Sequence, residues 1–297
     1  MFLRLVVAKR TLKPASTSVS KSSAQSLARP GDEVGTLTDQ GQPRTYLLHT
    51  PKSYRSDRPL PIVIAFHGYG SQGKDLAASS GLDDLADQQG FLVVYPDGLD
   101  RRWNLTEGTF GGLFNRVDDV KFVSALIDHL TQIRAINPRR IYAMGVSNGG
   151  FLVQRLACEP STRIAAFASI VATLPGQQQT NCKSSNPVSM LMINGTADWK
   201  VPWEGGRPPK VPYGWILSVP ASIEFWRQHN QCSAKVIKQA VNQLVDIERY
   251  PTCQAQSEVE LVTLKGVGHL FPRGGGGRNQ LINGSAKVWT FFERHLL

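Results

Sequence analysis

Short apolar segments rich in β-branched and aromatic residues recur along the chain from residue 45 onward, and segments with helical periodicity lie between them. Five of the apolar segments predict buried or half-buried strands at 61–66, 91–95, 140–144, 188–193 and 259–264. The segment 45–49 predicts an antiparallel edge strand, and helices are predicted at 118–133, 148–158, 222–229 and 286–297. Strands that alternate with helices are typical of a mostly parallel central sheet covered by helices on both faces. The pattern therefore predicts an α/β fold.

The composition is that of a globular protein with a sizeable core, since 41% of the 297 residues are apolar and 19% are charged. Residues 11–31 are rich in Ser, Thr, Ala and Lys. We predict a flexible basic leader or linker at 1–35 and one folded domain at 36–297. Two stretches rich in Gly or Pro, 199–215 and 274–277, predict irregular loops within that domain.

The net charge of +10 is concentrated at the beginning of the chain, where six basic and no acidic residues precede Asp32. Because basic residues are not interleaved with aromatic ones elsewhere, we expect no nucleic-acid partner. No segment approaches the length of a membrane-spanning helix. The apolar start of the chain is interrupted by Arg4 and followed by Lys9 and Arg10. This pattern does not resemble the uninterrupted apolar region of a secretory signal peptide.

Four cysteines are compatible with two disulfides or with free thiols. Cys158, Cys182, Cys232 and Cys253 lie more than twenty residues apart, and none has a neighbouring Cys or His at the spacing of a zinc site. We therefore predict no metal. Pairing in chain order would close two loops of moderate length, and disulfides of this kind are typical of exported proteins.

A candidate nucleophile follows the strand predicted at 140–144. Gly145, Ser147 and Gly149 form a Gly-x-Ser-x-Gly pattern between that strand and the helix at 148–158, which is the order that a nucleophile elbow requires. The serine of such an elbow occupies a sharp, strained turn where neighbouring side chains would collide, so the flanking positions must be glycine. We predict Ser147 as the nucleophile.

A serine hydroxyl needs a base, and the base needs a carboxylate that orients it. Among six histidines, His269 is our candidate because it lies just beyond the last predicted core strand. The acid should lie between serine and histidine in the chain and follow a strand, which favours Asp198. Asp246 is the alternative.

Acyl transfer also needs hydrogen-bond donors for the developing oxyanion. The predicted donors are the backbone N–H groups of Asn148, after the nucleophile, and of Tyr69, in the His-Gly-Tyr-Gly segment after the first core strand. His67 in this segment is expected to fix the loop. Trp103, Trp199 and Trp203 are candidates for the walls of a substrate site, with local packing as the alternative.

As a set, these motifs resemble the polyhydroxybutyrate depolymerase and feruloyl esterase-like family of α/β-hydrolases, from about residue 44 to residue 297. The segments that carry the resemblance are 66–70, 103–104, 117–120, 145–150, 194–198, 201–203, 205–206 and 268–272. The resemblance implies an α/β-hydrolase fold, with no large cap domain, and a triad of Ser147, Asp198 and His269. It also implies the disulfides Cys158–Cys182 and Cys232–Cys253.

The same resemblance implies secreted enzymes that act on esters of plant polysaccharides or on polyesters, so we expect an extracellular or periplasmic protein. Where such proteins often carry Thr-Trp-Pro after the histidine, this chain has Leu270, Phe271 and Pro272, which makes Phe271 a further candidate substrate contact. The predicted function is serine-dependent ester hydrolysis through an acyl-enzyme, without cofactor. A peptidase of the same fold and a non-catalytic carbohydrate-binding protein are the alternatives, and the sequence leaves the oligomeric state open.

Overall fold

The computed structural model describes residues 31–105, 117–159, 163–208, 214–274 and 281–297. Most of the predicted leader and parts of the loops predicted at 199–215 and 274–277 lie outside these ranges. The described residues form a ten-stranded sheet with helices on both faces. The strands are β1 (Asp32–Asp39), β2 (Gln42–His49), β3 (Leu60–Phe66), β4 (Leu92–Pro96), β5 (Ile136–Val146), β6 (Ala166–Ile170), β7 (Ser189–Gly195), β8 (Ile237–Asn242), β9 (Val245–Tyr250) and β10 (Val259–Leu264).

The strand order is β1-β2-β4-β3-β5-β6-β7-β10-β9-β8. The six strands from β4 to β10 in this order pair in parallel, whereas β1 and β2 at one edge and β9 and β8 at the other pair antiparallel. The parallel strands are continuous apolar runs because helices cover both of their faces.

The longer helices divide between the two faces of the sheet. They are α1 (Gly73–Ser80), α2 (Leu82–Gln89), α3 (Asp119–Ile133), α4 (Asn148–Cys158), α5 (Gly176–Asn181), α6 (Val219–His229) and α7 (Gly284–Phe292). Apolar residues of α3, α4 and α6 pack in the core on one face. Those of α1, α2 and α7 pack in the core on the other. No separate cap domain is found among the residues that the structure describes.

Two predictions at the beginning of the domain are corrected by the structure. The sheet already includes Asp32, so the segment 32–35, assigned to the leader, is part of β1. Strand β2 is antiparallel as expected, but it is not the edge, because β1 pairs along its full length. Polar residues dominate β1, and a hydrophobic pattern does not reveal such a strand.

The four cysteines form two disulfides, Cys158–Cys182 and Cys232–Cys253, which are the pairs that the resemblance implied. The first disulfide joins the end of α4 to the residue after α5, and the second joins the segment after α6 to the segment after β9. In the described part of the chain, no helical segment combines the length and the hydropathy needed to span a bilayer.

Candidate active site

Ser147 lies at the sharp turn between β5 and α4, where its backbone adopts φ 55° and ψ −117°. This is a conformation that a non-glycine residue rarely adopts, and such strain is concentrated at functional sites. A Cβ on Gly145 would lie 2.1 Å from the carbonyl oxygen of Gly149, and a Cβ on Gly149 would lie 2.3 Å from that of Phe66. Both glycines are therefore required by contacts with backbone atoms.

The structure brings together the three side chains that the sequence singled out. The Nε2 atom of His269 lies 2.9 Å from the hydroxyl oxygen of Ser147, and its Nδ1 atom lies 2.7 Å from Oδ2 of Asp198. Since an ionised carboxylate only accepts hydrogen bonds, Nδ1 carries the proton and Nε2 is free to accept the proton of the serine. Ser147 is half-buried, so part of this residue is exposed to solvent.

The topology of the sheet explains this convergence. Ser147 follows β5, Asp198 follows β7 and His269 follows β10, and these three strands lie close together in the parallel part of the sheet. Their carboxyl ends therefore meet at one edge, where open α/β sheets bind ligands. The alternative acid, Asp246, lies instead on β9, where it forms an ion pair of 2.7 Å with Lys265.

Asp198 is held in place by its second carboxylate oxygen. Oδ1 accepts hydrogen bonds from the backbone N–H groups of Lys200 and Val201, both at 2.9 Å. The residue is buried. Two backbone donors and the imidazole N–H thus satisfy a carboxylate that has little access to water, and they fix the direction in which it meets the ring of His269.

The loop after β3 lies against the elbow. A Cβ on Gly68 would lie 3.6 Å from the Cβ of Ser147, so the backbone of the loop at Gly68 passes directly beside Ser147. His67 is fully buried; its Nδ1–H donates to the carbonyl of Gly68 at 2.8 Å, and its Nε2 accepts from the N–H of Gly98 at 2.9 Å. Burial lowers the pKa of His67, which is consistent with this neutral, doubly bonded ring.

The aromatic candidates separate into buried and exposed residues. Trp103 is fully buried, so the prediction that it forms a wall of the substrate site is wrong. Trp203 and Phe271 are half-buried and pack against the two apolar cores. Trp199, the residue after Asp198, is 60% exposed. Trp215, which the sequence analysis did not single out, is 63% exposed and contacts the backbone of Gly176.

One group of metal-binding residue types lies away from this site. Ligand atoms of Asp32, His49 and Asp83 lie within 4.8 Å of one another. These atoms already take part in hydrogen bonds, since His49 Nδ1 lies 2.7 Å from Asp32 and the hydroxyl of Tyr95 donates to Asp83 at 2.5 Å. These hydrogen bonds join β1 to β2 through Asp32 and His49, and β4 to α2 through Tyr95 and Asp83.

Solved structures with similar folds agree with this topology. An acetyl xylan esterase from Aspergillus awamori superimposes with a TM-score of 0.61 over 88% of this chain and 99% of that protein, at 13% identity. A thermostable esterase superimposes with a TM-score of 0.59 over 90% of this chain and 64% of the other, at 16% identity. The chain has the α/β-hydrolase fold.

Curated relatives are similar in sequence, although no family model matches the chain. The putative esterase NocK of Nocardia uniformis subsp. tsuyamanensis is 30% identical over 166 residues, which cover 56% of this chain and 48% of that protein. Feruloyl esterase B of Piromyces equi is 26% identical over 234 residues, which cover 76% of this chain and 42% of that protein. The chain thus spans about half the length of these relatives. The resemblance to the feruloyl esterase-like family is confirmed.

Proposed function

We propose that this α/β-hydrolase is a serine-dependent carboxylic-ester hydrolase in which Ser147, His269 and Asp198 form the catalytic triad. The observation that carries the proposal is the continuous hydrogen-bonded path from Asp198 through both ring nitrogens of His269 to the hydroxyl of Ser147. A serine hydroxyl at the strained elbow has no evident structural role, whereas it is well placed to attack a bound carbonyl group.

In the first step, the hydroxyl oxygen of Ser147 attacks the ester carbonyl carbon while Nε2 of His269 accepts the hydroxyl proton. The carbonyl oxygen becomes negative, and we assign the backbone N–H groups of Asn148 and Tyr69 as its donors. Asn148 is the first residue of α4, where a backbone N–H has no acceptor within the helix. Collapse of the tetrahedral intermediate transfers the proton from His269 to the leaving alcohol and leaves an acyl group on Ser147.

In the second step, His269 removes a proton from a water molecule, and the resulting hydroxide attacks the acyl-enzyme. The second tetrahedral intermediate uses the same two donors, and its collapse returns the proton to Ser147 and releases the carboxylic acid. Asp198 stays ionised throughout and stabilises the imidazolium that forms in each step. The chemistry requires only these side chains and backbone groups.

The substrates that we propose are feruloyl or acetyl esters of plant polysaccharides, or polyhydroxyalkanoate-type polyesters. The names of the relatives support the first class, since they include feruloyl esterase B and a bifunctional acetylxylan esterase/xylanase. The exposed indole of Trp199 directly follows the catalytic acid and offers a flat apolar surface to a sugar or aromatic ring. Two disulfides favour an oxidising, extracellular or periplasmic compartment.

The proposal is tested by comparing three substrates: p-nitrophenyl acetate, methyl ferulate and a peptide anilide. We expect turnover of the first two and none of the anilide, and we expect Ser147→Ala to lose turnover of both esters. A preference for the anilide would favour a peptidase. Folded wild-type protein that turns over none of the three, while binding xylan oligosaccharides, would instead favour a non-catalytic carbohydrate-binding protein.

A further inference from the structure

Trp103 contacts both backbone segments to which we assign the oxyanion donors. Its indole N–H donates to the carbonyl of His67 at 2.9 Å, and its backbone N–H donates to Oδ1 of Asn148 at 2.6 Å. The side-chain amide of Asn148 returns a hydrogen bond to the carbonyl of Trp103 at 3.4 Å. One residue thus joins the loop after β3 to the first turn of α4.

On the side of the loop, two successive carbonyl groups are held. The indole of Trp103 fixes the carbonyl of His67, and the ring of His67 fixes the carbonyl of Gly68 at 2.8 Å. The carbonyl of Gly68 and the N–H of Tyr69 belong to the same peptide unit, and in a trans peptide these two groups point in opposite directions. When the carbonyl is turned toward His67, the N–H of Tyr69 is therefore turned away from that ring.

On the side of the helix, the amide of Asn148 fixes the residue whose backbone supplies the other donor. The Asn148 side chain is fully buried, and both of its polar atoms bond to the backbone of Trp103. A rotation of the Asn148 backbone would break two buried hydrogen bonds, and this is costly because the separated groups would have no access to water.

Trp103 is itself held rigidly. Its ring meets the ring of Phe66 edge-on at 5.1 Å between centroids. The next residue, Asn104, donates its backbone N–H to Asp119 at 2.7 Å, and Asp119 forms a buried ion pair of 2.8 Å with Arg44. Because Trp103 is fully buried, its indole does not contact a substrate.

We propose that Trp103 is a positioning residue that sets the distance and orientation between the two oxyanion donors, the N–H groups of Tyr69 and Asn148. This inference rests on the proposed function. Trp103 acts through hydrogen bonds to backbone groups, so its loss weakens binding of the oxyanion and leaves binding of the uncharged ester unchanged.

Two variants remove the hydrogen bonds of Trp103, one on the side of His67 and the other on the side of Asn148. Trp103→Phe keeps an aromatic ring and removes the indole N–H, whereas Asn148→Ala removes the amide and keeps the backbone donor. Trp226→Phe is the matched control, because Trp226 is equally buried and donates its indole N–H to Gln154 at 2.7 Å in another part of the core. Each variant is compared with wild type by thermal unfolding, by kcat and KM, and by the affinity for an aryl trifluoromethyl ketone, which forms an oxyanion on the serine.

We expect Trp103→Phe and Asn148→Ala each to lower kcat about 10- to 100-fold with little change in KM. This loss of rate is smaller than the loss caused by removing an oxyanion donor, because here the donor is displaced and not removed. The affinity for the ketone should fall by a similar factor, while Trp226→Phe keeps both values. Unchanged kcat and ketone affinity in a folded Trp103→Phe would overturn the inference. If Trp103→Phe does not fold, the inference is tested by kcat and the ketone affinity of Asn148→Ala, and unchanged values in that variant would overturn it. An inactive wild type would instead refute the proposed function.

Discussion

The elbow glycine Gly149 offers the sharpest structural prediction. A Cβ at this position would lie 2.3 Å from the carbonyl oxygen of Phe66 and 2.7 Å from that of His67. An ordinary contact begins near 3.4 Å, so Gly149→Ala forces α4 and β3 apart by the difference, 1.1 Å along the shorter contact. Both obstructing atoms belong to backbone, so no side-chain rotation relieves the clash.

This displacement affects both stability and activity. Insertion of a methyl group into a close-packed interface typically costs about 1–3 kcal/mol, so the free energy of unfolding of Gly149→Ala should fall by that amount. The serine and the Asn148 N–H move with α4, and a misplacement of about 1 Å lowers the rate roughly 100-fold. We therefore expect kcat for p-nitrophenyl acetate to fall by about two orders of magnitude in protein that is still folded.

Gly268 supplies the matched control, since it lies beside His269 and the nearest atom to an added Cβ is the carbonyl oxygen of Ala197 at 3.7 Å. Gly268→Ala should retain kcat within about threefold and change the free energy of unfolding by less than about 0.5 kcal/mol. Urea denaturation and steady-state hydrolysis measure both quantities. Gly149→Ala with wild-type kcat and wild-type stability would refute the reasoning.

Three further predictions concern the acid of the proposed triad, a buried histidine and a disulfide. Asp198→Asn should lower kcat by roughly 10⁴, because the amide no longer fixes the tautomer of His269; a loss below tenfold in ester hydrolysis would contradict this. Burial lowers the pKa of His295 to about 4, below the ordinary value of about 6.5, so its contribution to stability is complete above about pH 6.5 and is lost as the pH falls toward 4. His295 alone should lower the free energy of unfolding by about 2 kcal/mol from pH 7.5 to pH 5, so His295→Asn should reduce the drop measured by urea denaturation by about that amount; an equal drop in wild type and variant would exclude His295 as a cause. Replacing Cys232 and Cys253 together by Ser opens a loop with a sequence separation of 21, which should cost about 3 kcal/mol in the same assay, and an unchanged urea midpoint would show that the disulfide adds no stability.

The parts of the fold with an unambiguous local pattern can be predicted from the amino-acid sequence. Strands such as β3 and β7 are continuous apolar runs, and α4 was predicted with its observed bounds because the elbow fixes its first residue. The convergence of Ser147, Asp198 and His269 is expected from chain order and from the rule that parallel strands present their carboxyl ends at one edge. These features depend on local sequence and general topology.

Other elements lack such a signal. Strand β8 is almost entirely exposed and shows no alternation, and β6 consists largely of small residues, so neither stands out as a strand before its neighbours are known. The role of Trp103 was missed for a different reason. An indole in a segment without regular structure carries no sign of whether it faces solvent or core, and only the folded structure shows that Trp103 is buried and bonded to His67 and Asn148.

The central claim, that Ser147 is a nucleophile activated by His269, is tested most directly by covalent labelling. Wild-type protein treated with a fluorophosphonate should gain the mass of one phosphonyl group, located by peptide mapping on Ser147. Ser147→Ala should gain no mass, and His269→Ala should react far more slowly. A folded wild-type protein that forms no adduct, or a Ser147→Ala variant that forms the same adduct, would contradict the account.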